Sequence, residues 1–262
     1  MIISSDIQHQ KQYKILIIGD ICIDEYIYGT IDRLSPEAPV PVFVEKLRKV
    51  TPGMMGNVLK NLQNLLPQSC FTTHQNNEKL LIKTRFIESK SNYQIMRHDI
   101  EELIDPLRYE IISHDAYDCV IISDYDKGFL TDSCIDMLTK TLRCQFFVDT
   151  KRTDLSPFNN CIIKINEKER SKMRSLPSSS SLITTLGAGG AEFLGKHYKI
   201  DPVVVHDVCG AGDVFLSALA VRWLETGNMD KSICTANNCA AFSVTKHGTY
   251  AITREEYENL CI

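Results

Sequence analysis

The chain has 262 residues, 44% of them hydrophobic and 24% charged, with a formal net charge of −4. That is the profile of an ordinary globular protein of one sizeable domain or two small ones, and its acidic balance argues against a generic binder of nucleic acid or anionic membranes. No apolar run is long enough to span a bilayer, the polar stretch 1–14 lacks an apolar core of signal-peptide type, and ten scattered cysteines without CxxC pairs or Cys/His ligand spacing read as reduced, mostly buried thiols of a cytosolic protein.

Taken in order, Lys14 to Asp20 is an apolar run closed by Gly-Asp and predicts a central strand buried on both faces. Residues 22–44 lack helical period and carry tyrosines and prolines, which predicts projecting strands and turns, with Pro39 to Val44 at an edge. Thr51 to Asn57 reads as a turn into a helix from Val58 to Leu66. Pro67 to Lys79 shows no pattern, and Leu80 to Phe86 with Tyr93 to Arg97 reads as a hairpin. Strands and helices then alternate: strand 119–123, helix 133–142, strands 145–149, 160–165 and 182–186, then helices from Asp213, from Lys231 to Val244 and from Arg254 to Leu260. This order predicts an α/β fold, a mostly parallel sheet with helices on both faces. Ligands bind outside the carboxyl ends of such strands, where Asp20, Asp124, Asp149, Asn166 and Gly187 fall.

The most informative stretch is Asp207 to Asp213, which carries Gly210-Ala211-Gly212-Asp213 after Val203-Val204-Val205, read as a strand end, and before an apolar helical run. Small residues at a helix start let a bound group approach unpartnered N–H groups, an arrangement suited to phosphate. A carboxylate beside an anion site makes sense if it takes a proton from an attacking hydroxyl. Taken alone, a glycine-rich turn with Asp complementing the helix dipole is an equally good account.

Together the motifs resemble the ribokinase-like (PfkB) family of carbohydrate kinases, and within it the heptose 7-phosphate kinases. The resemblance rests on Gly19 to Gly29, on Ser35-Pro36-Glu37-Ala38-Pro39-Val40-Pro41-Val42, on Ile121 to Thr131 and on Val148-Asp149-Thr150-Lys151, and it runs from Ile15 to about Tyr250. It implies a single ribokinase-like domain over 1–262 with a small β lid from segments about 24–44 and 80–97. It implies ATP and Mg²⁺ as cofactors, and transfer of the γ-phosphoryl to O1 of D-glycero-D-manno-heptose 7-phosphate in surface-glycan synthesis. Asp213 would be the catalytic base and Gly210, Ala211 and Gly212 the anion hole. Asp24, Gly53, Asn57 and Lys151 would meet the acceptor, Lys151 through a phosphate of either substrate. Asn166, Glu169, Thr185, Gly187, Gly190 and Asn237 would meet the nucleotide, with Glu169 reaching the metal through water.

Other readings stand beside these. Asn57 would also serve as a helix cap, Asn166 with Glu169 as a capping box, and Lys151 as a solvated surface charge. Arg33 and Arg97 are weaker candidates for a sugar phosphate, and Tyr26, Tyr28 and Phe43 suit packing. The chain departs from the family at Met54, where the second glycine of a Gly-Gly turn is usual, at Cys209, and in short segments after Leu66 and around Ser171 to Ser181. Those departures keep open a kinase for another sugar or nucleoside, or a weakened relative that only binds. The apolar lid residues Val40, Val42 and Val44 predict a homodimer through the lid.

Overall fold

The computed structural model describes residues 11–113, 115–246 and 248–261. In chain order its elements are β1 (Lys14–Gly19), β2 (Ile21–Leu34), β3 (Pro41–Met54), α1 (Met55–Leu65), β4 (Cys70–Gln75), β5 (Leu81–Glu88), β6 (Gln94–Glu101), β7 (Cys119–Asp124), α2 (Asp132–Thr141), β8 (Gln145–Thr150), β9 (Cys161–Asn166), α3 (Glu167–Arg170), β10 (Ser181–Thr185), β11 (Ala191–Phe193), β12 (Lys196–Tyr198), α4 (Ala211–Thr226), α5 (Met229–Ser243) and α6 (Arg254–Leu260).

The main sheet has the order β12-β11-β10-β9-β8-β7-β1-β4. It is parallel from β10 to β4, and β11 and β12 add an antiparallel margin. Apolar side chains line both faces of β1, as a doubly covered strand requires. Ile15 and Ile17 pack with α1, α4 and α5, while Leu16 and Ile18 pack with α2. Helix α4 is buried almost all round its first three turns, from Asp213 to Val221. A helix apolar on every side belongs inside a protein. Here it lies against α1, α5 and the strands β7 and β8.

A second sheet of order β3-β2-β5-β6 forms the lid. Its strands β2 and β5 are parallel, and each has an antiparallel neighbour outside it. The turn between β5 and β6 is held by Glu88, whose carboxylate accepts from the Lys90 and Ser91 N–H groups. That is side-chain turn chemistry of the kind that competes with a ladder.

Four local expectations are corrected. Residues 51–54 continue β3, so Gly53 lies in a strand and Asn57 is the third residue of α1, not its cap. Pro67 to Lys79 contains β4, which pairs with β1 although its polar sequence has no strand period. Val203 to Val205 is not a strand. The β11–β12 hairpin occupies the sheet margin, and the valines stay 39%, 73% and 54% exposed. The ten cysteines are all free, but only five are buried, and Cys70 is exposed.

Candidate active site

The head of α4 is built by Gly210, whose φ of 78° is left-handed and open to glycine at low cost. The Ala211 N–H turns back to the Val208 carbonyl at 3.3 Å. The Gly210 and Gly212 N–H groups have no hydrogen-bond partner among the described residues. The amide cup is therefore narrower than the three residues expected. Asp213, in the first turn, is 4% exposed. Its Oδ2 accepts from Asn57 Nδ2 at 2.9 Å, and Tyr125 OH makes a long contact of 3.4 Å to Oδ1. Burial, opposed by the Asn57 hydrogen bond and aided by the Asp149 charge, pushes its carboxyl up to about 6. Burial and the Asp213 charge hold the Tyr125 phenol well above its ordinary value, so it remains a donor.

Beneath the cup runs a chain of alternating charges. Lys164 Nζ donates to Asp149 Oδ2 at 2.7 Å, Lys151 Nζ to Asp149 Oδ1 at 3.1 Å, and Lys151 also meets Glu169 Oε1 at 2.8 Å. Burial raises the Asp149 carboxyl, but the two ammonium groups more than offset it and hold it below the usual carboxylate range. The same carboxylates hold Lys151 above the ordinary lysine value against its burial. A Cβ on Gly212 would lie 2.7 Å from Lys164 Nζ, so glycine there leaves the ammonium directly under the Gly212 amide.

Asn166 and Glu169 form a complete capping box on α3: Glu169 Oε2 accepts from Asn166 N–H, and Asn166 Oδ1 from Glu169 N–H, both at 2.8 Å. The structural reading of this pair holds, yet Glu169 still offers Oε1 to Lys151. The lid contributes Asp24 and Gly53, paired near the hinge of β2 and β3. A Cβ on Gly53 would fall 2.1 Å from Asp24 Oδ2, so only glycine admits that carboxylate. Asp24 Oδ1 accepts from Arg85 Nη1 at 2.6 Å. Tyr26 OH meets Thr249 Oγ1 at 2.7 Å, joining the lid to the main sheet's layer.

On the other flank lies a cavity of about 330 Å³, mostly apolar in its walls. It collects Asn166, Thr185, Gly187, Gly190 and Asn237 beside Ala211 and Gly212. Gly190 has a φ of 87°, and a Cβ there would strike the Tyr198 carbonyl at 2.0 Å. Asn237 is not free to read a ligand with its amide N–H, which donates to Tyr198 O at 2.9 Å. The remaining candidates are elsewhere: Arg33 is exposed at the end of β2, and Arg97 is paired with Asp99 at 2.9 Å.

Sequence reasoning missed Lys164, Arg85 and the role of Tyr125 as a bridge. The signal for Lys164 was present, because a lysine inside the strand Cys161–Asn166 must find a buried partner. Arg85, in a polar-looking lid strand, gave no such signal.

The chain is 30% identical over 299 residues to the bifunctional protein HldE of a Nitratiruptor species, and 30% identical over 307 residues to that of Aliarcobacter butzleri. Each alignment covers 94% of this chain and 64% of the relative, so the chain spans a little under two thirds of their length. Among solved structures, phosphofructokinase-2 from Escherichia coli in complex with potassium superimposes with a TM-score of 0.72 at 14% identity, covering 95% of this chain and 98% of that one. A ribokinase from Thermotoga maritima gives 0.67 at 17% identity, covering 95% and 99%. At such identities these two establish the fold, the ribokinase-like α/β architecture expected above. Residues 161–256, from β9 through α6, match the family described as pfkB family carbohydrate kinase. That stretch holds the α4 head, its buried carboxylate and the buried lysine beneath, and the chain belongs to the pfkB family of carbohydrate kinases.

Proposed function

We propose that the protein transfers the γ-phosphoryl group of ATP to O1 of D-glycero-D-manno-heptose 7-phosphate. One observation carries the reading: a buried carboxylate, Asp213, with its pKa lifted to about 6, stands beside an amide cup with a buried lysine below it. A carboxylate so placed is ionised at neutral pH yet basic enough to take a hydroxyl proton. Asn57 fixes one of its oxygens, leaving Oδ1 with only the long Tyr125 contact and free to face an alcohol. The Gly210 and Gly212 amides and Lys164 would stabilise charge on the transferred phosphoryl oxygens. The 330 Å³ cavity is large enough and apolar enough for an adenosine. Asp24, next to Gly53, would accept from sugar hydroxyls.

Mg²⁺ suits this donor set only through its own water and the nucleotide phosphates. Glu169 already serves Lys151 and the Asn166 N–H, and no group of three or more His, Cys, Asp or Glu side chains that could hold a metal occurs among the described residues. The heptose specificity rests on the HldE relatives, and the lid motif supports it. A homodimer through the lid is part of the same proposal, because Val40, Val44, Leu47 and Val50 are 43–57% exposed on or beside its edge strand β3. Sedimentation of wild type against a Leu47→Glu variant tests that interface.

The test of function is ATP turnover with heptose 7-phosphate by wild type and by Asp213→Asn. We expect transfer to the sugar by wild type and a kcat lower by about 10²–10⁴ in the variant, the usual worth of a general base. Full activity in the variant would remove Asp213 as the base. Transfer to another sugar but not to the heptose phosphate would keep the kinase and reassign its acceptor.

A further inference from the structure

A second cavity, of about 200 Å³, lies between the lid and the segment that precedes α4. Its walls include Tyr28, Arg85 and Gln94 from the lid, with His206, Asp207 and Cys209 opposite. It shares no lining residue with the 330 Å³ cavity: Val208 faces that one, while Asp207 and Cys209 face this one. The turn 207–209 is thus a partition, and the second cavity lies on the acceptor side, next to Asp24.

Arg85 is the unusual member. It is only 8% exposed, its Cζ stands 5.1 Å from the centre of the Tyr26 ring, and it has a single hydrogen bond, from Nη1 to Asp24. Its Nε and Nη2 groups have no acceptor among the described residues, and it is not one of the buried groups sealed off without partners. A buried guanidinium donates five N–H groups in a fixed fork, and unused ones are costly unless something accepts them. Asp207 does not neutralise it, since its two oxygens accept from the Cys209 and Gly248 N–H groups. His206, Tyr26 and Tyr28 complete the titratable groups of the walls.

We infer that Arg85 and this cavity receive the phosphate that the acceptor already carries, at the end of the sugar remote from the hydroxyl being phosphorylated. The inference rests on the acceptor reading given above and deepens it: Arg85, bidentate by geometry, selects phosphorylated over free sugars, and Asp24, held by the same guanidinium, takes a hydroxyl nearer the reacting end.

The experiment compares steady-state kinetics of wild type, Arg85→Gln and Gln94→Glu with heptose 7-phosphate and with the unphosphorylated heptose. Loss of a charge-assisted contact predicts a KM for heptose 7-phosphate about 10- to 100-fold higher in Arg85→Gln. KM for ATP stays unchanged, and KM for the free sugar changes far less. Gln94→Glu leaves the Asp24–Arg85 pair intact and puts a carboxylate in the cavity, so it raises the KM for the phosphorylated sugar a few-fold, an effect that salt weakens. Equal losses for both sugars in Arg85→Gln would mean that Arg85 merely props Asp24 and would overturn the inference, as would an indifferent Gln94→Glu. If wild type transfers phosphoryl to neither sugar, the acceptor reading itself fails and takes this inference with it. Transfer to both sugars with equal KM defeats only the inference.

Discussion

Replacing the buried acid should make the protein more stable in a defined pH range. Asp213 has an ordinary carboxyl value of 3.8 and one of about 6 in the folded chain, chiefly because burial penalises its charged form. A folded-state pKa above the unfolded one means that folding is favoured while the group is protonated. That favour is complete below about pH 3.8 and is lost as pH rises through about 6. At pH 8 the wild type therefore carries an ionised buried carboxylate whose cost, two units at 1.36 kcal/mol each, is about 3 kcal/mol as an order of magnitude. Asn at 213 removes the charge and keeps the shape. Its carbonyl can accept from Asn57 Nδ2 and its amide can face Tyr125 OH, so no buried donor is orphaned. At 2–4 °C per kcal/mol for a chain of this size, Asp213→Asn should melt about 5–10 °C above wild type at pH 8. The gain should shrink towards zero near pH 4. Differential scanning calorimetry at both pH values, without ligands, is the assay. A variant no more stable than wild type at pH 8, or equally stabilised at both pH values, would refute the electrostatic account of the site.

The same shift predicts that wild-type kcat falls below about pH 6, and that Asn57→Leu, which removes the hydrogen bond stabilising the charged form, moves this acid limb to higher pH; a pH–rate profile with no limb between 5 and 8 would contradict it. Gly212→Ala would put a methyl 2.7 Å from a lysine tied to Asp149, so it should lower kcat about 100-fold with a melting temperature near that of wild type, and wild-type rates in this variant would show that the close approach is unimportant. Met54 caps α1 at φ 55°, ψ −131°, a region natural to glycine, while its side chain is 3% exposed against Cys22 and Leu81. Both Met54→Ala and Met54→Gly should destabilise through lost packing, but glycine also releases strain of about 1–3 kcal/mol. The glycine variant should therefore be the more stable of the two in urea, by about 1 kcal/mol after its larger unfolded-state entropy; the reverse order would mean that Met54 is unstrained.

What the chain reveals by itself is what short-range physics encodes. The apolar run of β1, the strand–helix alternation after residue 119 and the small residues before α4 can each be read within a dozen positions, because burial on two faces and an open helix head leave local signatures. Tertiary structure decided the rest. Strand β4 looks like loop because an edge strand needs only a ladder partner, which β1 supplies. The elements of the site that give Asp213 its chemistry are distant in sequence: Asn57 is 156 residues away and Tyr125 is 88. Arg85 finds Asp24 across 61 residues, and Lys164 meets Asp149 from a neighbouring strand. No periodicity announces such pairs. A buried charge is tolerable only where the fold brings its counter-charge or its hydrogen-bond donors, and that placement is a property of the closed chain rather than of any segment of it.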